Sequence, residues 1–179
     1  MRVGLSIRSV AGELERARTV EEVQRIVKRG VRRVLAADGS TFVLLDHEMC
    51  YYADEDAMSP LWKGQRFPVQ DCVSGWAMMN HRTVVISDIR RDPRIPAEAY
   101  RPTFVRSLVM APILSPAPLG ALGAYWARTR HPWSFQVAAL EEISKLAATA
   151  LAQFPDGLPD PGFPLRDVQS WRVRPTSAR

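Results

Sequence analysis

Two kinds of side chain in this sequence are equipped for chemistry: a pair of thiols and a cluster of guanidiniums. Cys50 lies in the strand-like stretch MCYYAD and Cys72 in VQDCVSGW. The two cysteines form no zinc spacing and suggest no disulfide framework. A helix start can lower a thiol pKa, and Cys72 stands just before one. No histidine or glycine-rich loop accompanies it, so both thiols read as structural, Cys50 as a buried one. The guanidiniums gather in DIRRDPRIPAEAYRPTF, residues 88–104, with Arg106 just beyond. Arg94, Arg101 and Arg106 could grip a carboxylate or phosphate in bidentate fashion. They could equally pair with Asp88, Asp92 and Glu98 beside them.

Compact domains seldom keep so long a connection without a reason. Pro93, Pro96 and Pro102 each fix their own backbone and push the preceding residue out of helical space. Pro96 suits the first position of a short helix, PAEAY, with Glu98 in the dipole-favoured first turn. Ile95, Tyr100 and Phe104 are large groups that point down onto whatever lies beneath. The segment therefore reads as a stiff cover over one face of a sheet, and neither as a slack linker nor as a nucleic-acid arm.

The elements that position these groups follow from periodicity. Residues 5–18 carry a moderate helical pattern. TVEE (19–22) is a capping box, and Val20, Val23, Ile26, Val27, Val31, Val34 and Leu35 repeat at helical spacing behind it. Asp38 and Gly39 are expected to stop this helix, with Gly39 as the left-handed cap. TFVLLD and MCYYAD read as a hairpin across His47–Glu48, a poor pair for a tight turn, so a longer loop is expected. QRFPVQ is a short edge strand, Ser74 and Gly75 open a short helix, and TVVIS is a buried strand. VRSLVMAPIL and LGALGAYWAR are two further strands. Ser134 caps a long helix from Phe135 to about Phe154 with an apolar stripe near heptad spacing. This order predicts an α+β fold: a central antiparallel sheet with the N- and C-terminal helices on one face, and the short helix plus the long loop on the other. Residues 1–12 read as a helical extension, 13–154 as the domain, and 155–179 as an irregular or disordered tail rich in proline and glycine.

The formal charge of +5 and pI near 9.7 invite a nucleic-acid partner. The basic residues are spread over the first helices, the loop and the tail, and no binding motif accompanies them, which argues against that partner. No stretch is long and apolar enough to span a bilayer or to serve as a signal segment. A cytoplasmic protein without a membrane partner is expected.

The segments FPVQDCVSGWAMMNHRTVVISDIRRDPRIPAEAYRPTFVRSLVMAPI and PLGALGAYWA, with the amphipathic helix after HPWS, resemble a GAF domain. The resemblance is nearest to those of bacterial sensor histidine kinases. It covers residues from about 13 to 154. GAF domains bind cyclic nucleotides, bilins, haem, metabolites or nothing, and the fold does not decide which. Bilin-attaching relatives need a cysteine, typically with histidine, in the loop region; residues 88–109 hold neither, which argues against covalent bilin. Cyclic-nucleotide relatives carry an acidic pair where Val137 and Ala138 stand here. The free methionine sulfoxide reductases of this fold use several cysteines, and Ser74 replaces one before the glycine of SGWA.

The resemblance implies a non-enzymatic sensory or regulatory module in bacterial two-component signalling, with no catalytic or metal residues and an unknown cofactor. A small molecule would lie under residues 88–104. Phe67, Trp76, Ile95, Tyr100, Phe104 and Ser107 would wall that pocket, and Asp88, Arg91 and Arg101 would offer polar groups. Side chains could instead plug the same space, leaving a degenerate dimerisation module without ligand. A Cys72-based redox enzyme is a third reading. The signal would pass through the terminal helices to a homodimer partner or a signalling protein. Leu140, Ile143, Ala147, Ala150 and Phe154 form the expected dimer stripe, unless that stripe packs on its own sheet.

Overall fold

The computed structural model describes residues 2–160 and 162. The residues beyond, which hold most of the expected tail, lie outside them. Helix α1 (Arg2–Leu14) packs on α2 (Val20–Leu35) and on the last helix, α5 (Ser134–Leu151). The N-cap half of the capping box forms, with Thr19 Oγ1 accepting the Glu22 amide at 3.2 Å, while the Glu22 carboxylate reaches one residue further back and accepts the Arg18 amide at 2.6 Å. The C-terminal cap is Ala36, with φ 49°, where Gly39 was expected. Asp38 is already drawn to the sheet, its amide donating to the Tyr125 carbonyl at 2.9 Å. Gly39 opens strand β1 instead, and a Cβ there would press on the Phe104 ring at 2.8 Å.

Strands β1 (Gly39–Asp46) and β2 (Met49–Ala57) form the expected hairpin. Its turn is two residues long after all. His47 and Glu48 both adopt positive φ, 48° and 62°, the geometry that matches the strand twist. The His47 amide is held by the Asp160 carbonyl at 2.7 Å.

β3 (Arg66–Pro68) pairs with β2, and α3 (Val73–Asn80) follows a 3₁₀ turn at Val69–Asp71. Helix α3 starts two residues before the expected Gly75. That glycine lies so close to the Val69 carbonyl that a Cβ would overlap it. β4 (Val84–Ile86), α4 (Ala97–Tyr100), β5 (Ser107–Ser115) and β6 (Ala117–Trp126) complete the chain order before α5. Pro96 is the residue preceding α4 rather than its first. The six strands run β3-β2-β1-β6-β5-β4, antiparallel throughout.

Alternation along the strands divides the interior in two. Phe42, Leu44, Val109, Ala111, Ile113, Leu122, Ala124 and Trp126 face α1, α2 and α5. Val43, Leu45, Cys50, Tyr52, Leu108, Met110, Ala121 and Tyr125 face α3 and the segment around α4. The α+β arrangement predicted from element order is the one observed.

The expected dimer stripe needs correction. Leu140, Ile143 and Ala147 are fully buried and Ala150 nearly so, all within the chain's own first core, and Phe154 packs against it. A side chain already enclosed by its own sheet has no apolar surface left for a second copy. The outward face of α5 carries Glu141, Glu142, Lys145 and Thr149.

Asp54 on β2 ties two elements together, accepting Lys28 of α2 and, at 2.8 Å, Lys63. Burial pushes its carboxyl up, but the hydrogen bonds and charges of the two lysines win and hold it below the ordinary range. A depressed folded pKa contributes stability that is present above the unfolded value, near 3.9, and lost as pH falls through the folded value. Lys63, raised by the same pair, has the opposite sign and loses its contribution at high pH. The urea midpoint of the wild type therefore falls more steeply below pH ~4 than that of Asp54→Asn; parallel curves would refute the assignment.

Candidate functional site

The second core beneath α4 is built of rings. Trp62, in the loop between β2 and β3, lies at its centre and is 4% exposed. Its ring centroid is 4.7 Å from Tyr100, 5.4 Å from Tyr52 and 5.6 Å from Tyr125; Phe67 meets Tyr52 edge-on at 5.6 Å. A polar loop holds so large a side chain inside because Glu55 grips it. The two oxygens of its carboxylate accept the amides of Leu61, Trp62 and Lys63, each at 2.9 Å. Trp62 Nε1 then donates to the Ala99 carbonyl at 3.0 Å, pinning α4 from below.

Three hydroxyls enter this apolar space. Tyr125 shares a hydrogen bond with Thr41 Oγ1 at 2.8 Å, and Tyr52 shares one with Ser74 Oγ at 3.2 Å. The Tyr100 hydroxyl is buried and has no hydrogen-bond partner among the described residues. Burial pushes all three phenols above their ordinary range, so each stays neutral.

The expected site residues divide between two environments. Tyr100 is buried, and Phe67, Trp76, Ile95 and Phe104 pack half-buried against the same core. Trp76 is at its outer wall, with the Arg94 guanidinium 4.8 Å above its ring. Asp88, Arg91 and Arg101 do not join them. Asp88 is held outside by Arg90 at 2.8 Å and 2.9 Å; hydrogen bonds from its side chain and amide lower the carboxyl to about 2. Arg91 is 87% exposed, and Arg101 pairs with Glu98 at 2.9 Å. Arg94 pairs with Asp92 at 2.6 Å. Ser107 is on the strand positions that face the terminal helices, where its Oγ donates to the Arg128 carbonyl at 2.9 Å. The arginines of the loop thus serve its own carboxylates, each within a few residues.

Sequence reasoning passed over Trp62, Tyr52, Tyr125 and Thr41. The available signal was Leu61–Trp62, a bulky apolar pair inside an otherwise polar connection. It also read the two thiols as structural. The structure sets Cys50 Sγ 2.9 Å from Cys72 Sγ, with Ser74 Oγ donating to Cys72 at 3.3 Å. Cys72 precedes the first residue of α3. Among the described residues no group of three or more metal-ligating side chains comes together, and no helix is long and apolar enough to cross a membrane.

Comparison with known proteins agrees with this architecture. The GAF domain from a phosphoenolpyruvate-protein phosphotransferase of Coxiella burnetii superposes with a TM-score of 0.77 at 16% identity, over 86% of this chain and 95% of that one. The free methionine-R-sulfoxide reductase of Neisseria meningitidis, solved with its substrate, gives 0.73 at 17% identity, over 88% and 95%. The GAF-B domain of DevS from Mycobacterium smegmatis gives 0.63 at 18% identity, over 76% and 96%. At such identities the likeness is one of fold. No curated protein matches the sequence. The family model described as GAF domain matches residues 17–152, which include all six strands, the second core and most of the first. This chain belongs to the GAF domain family.

Proposed function

We propose that this GAF domain is a non-enzymatic sensory module that takes a small neutral molecule beneath α4. The observation that carries the reading is the buried Tyr100 hydroxyl with no partner among the described residues. An unpartnered buried hydroxyl costs about 1–3 kcal/mol, and a ligand that hydrogen-bonds to it relieves that penalty. The surrounding surface is aromatic rings and phenols, while the nearby guanidiniums are already paired at the surface. Burying an unpaired charge there is expensive. The chemistry favours a flat, uncharged molecule with a hydrogen-bonding edge over an anion.

The rings fill the space in this conformation, so binding requires α4 and its flanking loop to lift. A ligand shifts such an equilibrium only by its differential affinity for the two states. The shift would pass along β4 and β5, which flank the loop, to the helices on the far face. The signalling partner, the kinship with sensor histidine kinase GAF domains and the cytoplasmic setting belong to the same proposal. A homodimer would have to use α1 and the outward face of α5, since the inner stripe is consumed. The filled space also favours a second reading, a closed GAF domain that only mediates interactions.

Native mass spectrometry and an absorbance scan of the purified protein, paired with Tyr100→Phe, separate the two. The sensory reading expects an extra small-molecule mass on the wild type that Tyr100→Phe fails to retain, although the variant is itself more stable by about 1 kcal/mol. A bare wild-type mass, with no melting shift across a panel of neutral aromatic compounds, would leave the closed module.

A further inference from the structure

We propose that Cys50 and Cys72 form a reversible dithiol–disulfide pair that is oxidised by hydroperoxides, with Cys72 as the attacking sulfur. The observation is geometric and independent of the small-molecule reading. The two sulfurs approach to 2.9 Å from different elements, the start of β2 and the residue that precedes α3. That is closer than unbonded sulfurs ordinarily rest, and about 0.9 Å beyond the ~2.05 Å of a disulfide bond.

The pair is asymmetric in the way such chemistry requires. Cys50 is fully buried, whereas residue Cys72 keeps 6% exposure, which places Cys72 on the outer side of the pair. Hydrogen bonds from Cys50, from Ser74 and from the Gly75 amide at the start of α3 favour the Cys72 thiolate over burial. Burial holds Cys50 as a thiol. The thiolate is the nucleophile in thiol oxidation. Cys72 sulfur attacks one peroxide oxygen, the O–O bond breaks, and the leaving oxygen takes up a proton to give water or an alcohol. The Cys72 sulfenic acid then meets Cys50: the S–S bond forms, the S–OH bond breaks, and the Cys50 proton leaves with that hydroxyl as water. Two thiols are oxidised and one peroxide is reduced.

The bond would reach the aromatic core by a short route. Ser74 Oγ bridges Cys72 and the Tyr52 hydroxyl, and Tyr52 packs on both Trp62 and Phe67. Bond formation changes the sulfur that accepts the Ser74 hydroxyl, and through it the Tyr52 contact under α4.

The test treats reduced full-length protein with a small molar excess of hydrogen peroxide and follows intact mass, then maps peptides without reduction. The expected result is loss of the mass of two hydrogens, one cross-linked peptide joining Cys50 to Cys72, and full reversal by dithiothreitol. Cys50→Ser should stop at one added oxygen on Cys72, trapped by dimedone, and Cys72→Ser should slow oxidation of Cys50 roughly tenfold or more. Two thiols still alkylated after denaturation would overturn the proposal. So would disulfides between chains only, or equal oxidation rates in the two variants. The wild-type peptide map decides the matter by itself if a variant does not fold.

Discussion

Gly75→Ala lowers stability by about 4 kcal/mol or more, read as a large drop in the urea midpoint at unchanged slope. The added methyl would fall inside the Val69 carbonyl group, whose oxygen, carbon and Cα are the nearest atoms. None of these is the end of a flexible side chain. Relief requires α3 to move off the 3₁₀ turn at Val69–Asp71, and α3 carries Ala77 and Met78 into the second core. Gly12→Ala is the matched control, because a Cβ there meets nothing within 4 Å in α1. In that open helical position the same change stabilises by roughly 0.5–1 kcal/mol. Equal effects of the two substitutions would show that backbone propensity, not the Val69 contact, governs Gly75.

Trp62→Ala is expected to cost about 3–5 kcal/mol and to loosen the cover over the second core. The indole supplies contacts to Tyr52, Tyr100 and Tyr125, and its Nε1 holds the Ala99 carbonyl. Its removal leaves a void beside Tyr52 and Tyr125, which are held by their strands and hydroxyl contacts, so the space collapses poorly. Trp62→Phe keeps much of the packing and loses the bond to Ala99, for a smaller loss of roughly 1–3 kcal/mol. Hydrogen exchange at residues 97–104 should accelerate in both, more in the alanine variant. A stability change under about 1 kcal/mol for Trp62→Ala would mean that α4 is seated on something other than this indole.

Most of the architecture was legible because it rests on local signals. The capping box at Thr19–Glu22, the period of α2 and α5, and the alternation of β1 and β2 each survive in a single window of sequence. Gly39 was misassigned because a glycine after a helix usually caps it. Here a distant ring, Phe104, requires the missing side chain, and no local pattern records that contact. The stripe on α5 was read in two ways because periodicity gives a buried face without naming what buries it. The site was legible only in part. Tyr100 and Phe104 announced themselves as large groups in a proline-stiffened loop, but Trp62 enters through the three amides that Glu55 holds, a loop contact that leaves no periodic signal. The meeting of Cys50 with Cys72 depends on β3 and the turn before α3 folding back along β2, which spacing alone does not express.

The sheet order has a consequence for how the chain assembles. β2 reaches β1 through a two-residue turn, and β5 meets β6 across a single residue, but the β1–β6 seam joins residues 39–44 to 120–125. That seam closes a loop of roughly eighty residues, whose entropy must be overcome before the contacts repay it. Until then the edge of β1 that will meet β6 presents Phe42, Val43 and Leu44 with unpaired amides and carbonyls, the kind of strand that recruits other chains. Synthesis and refolding of this domain therefore pass through a window of aggregation risk centred on one strand, which ends when β6 pairs with it.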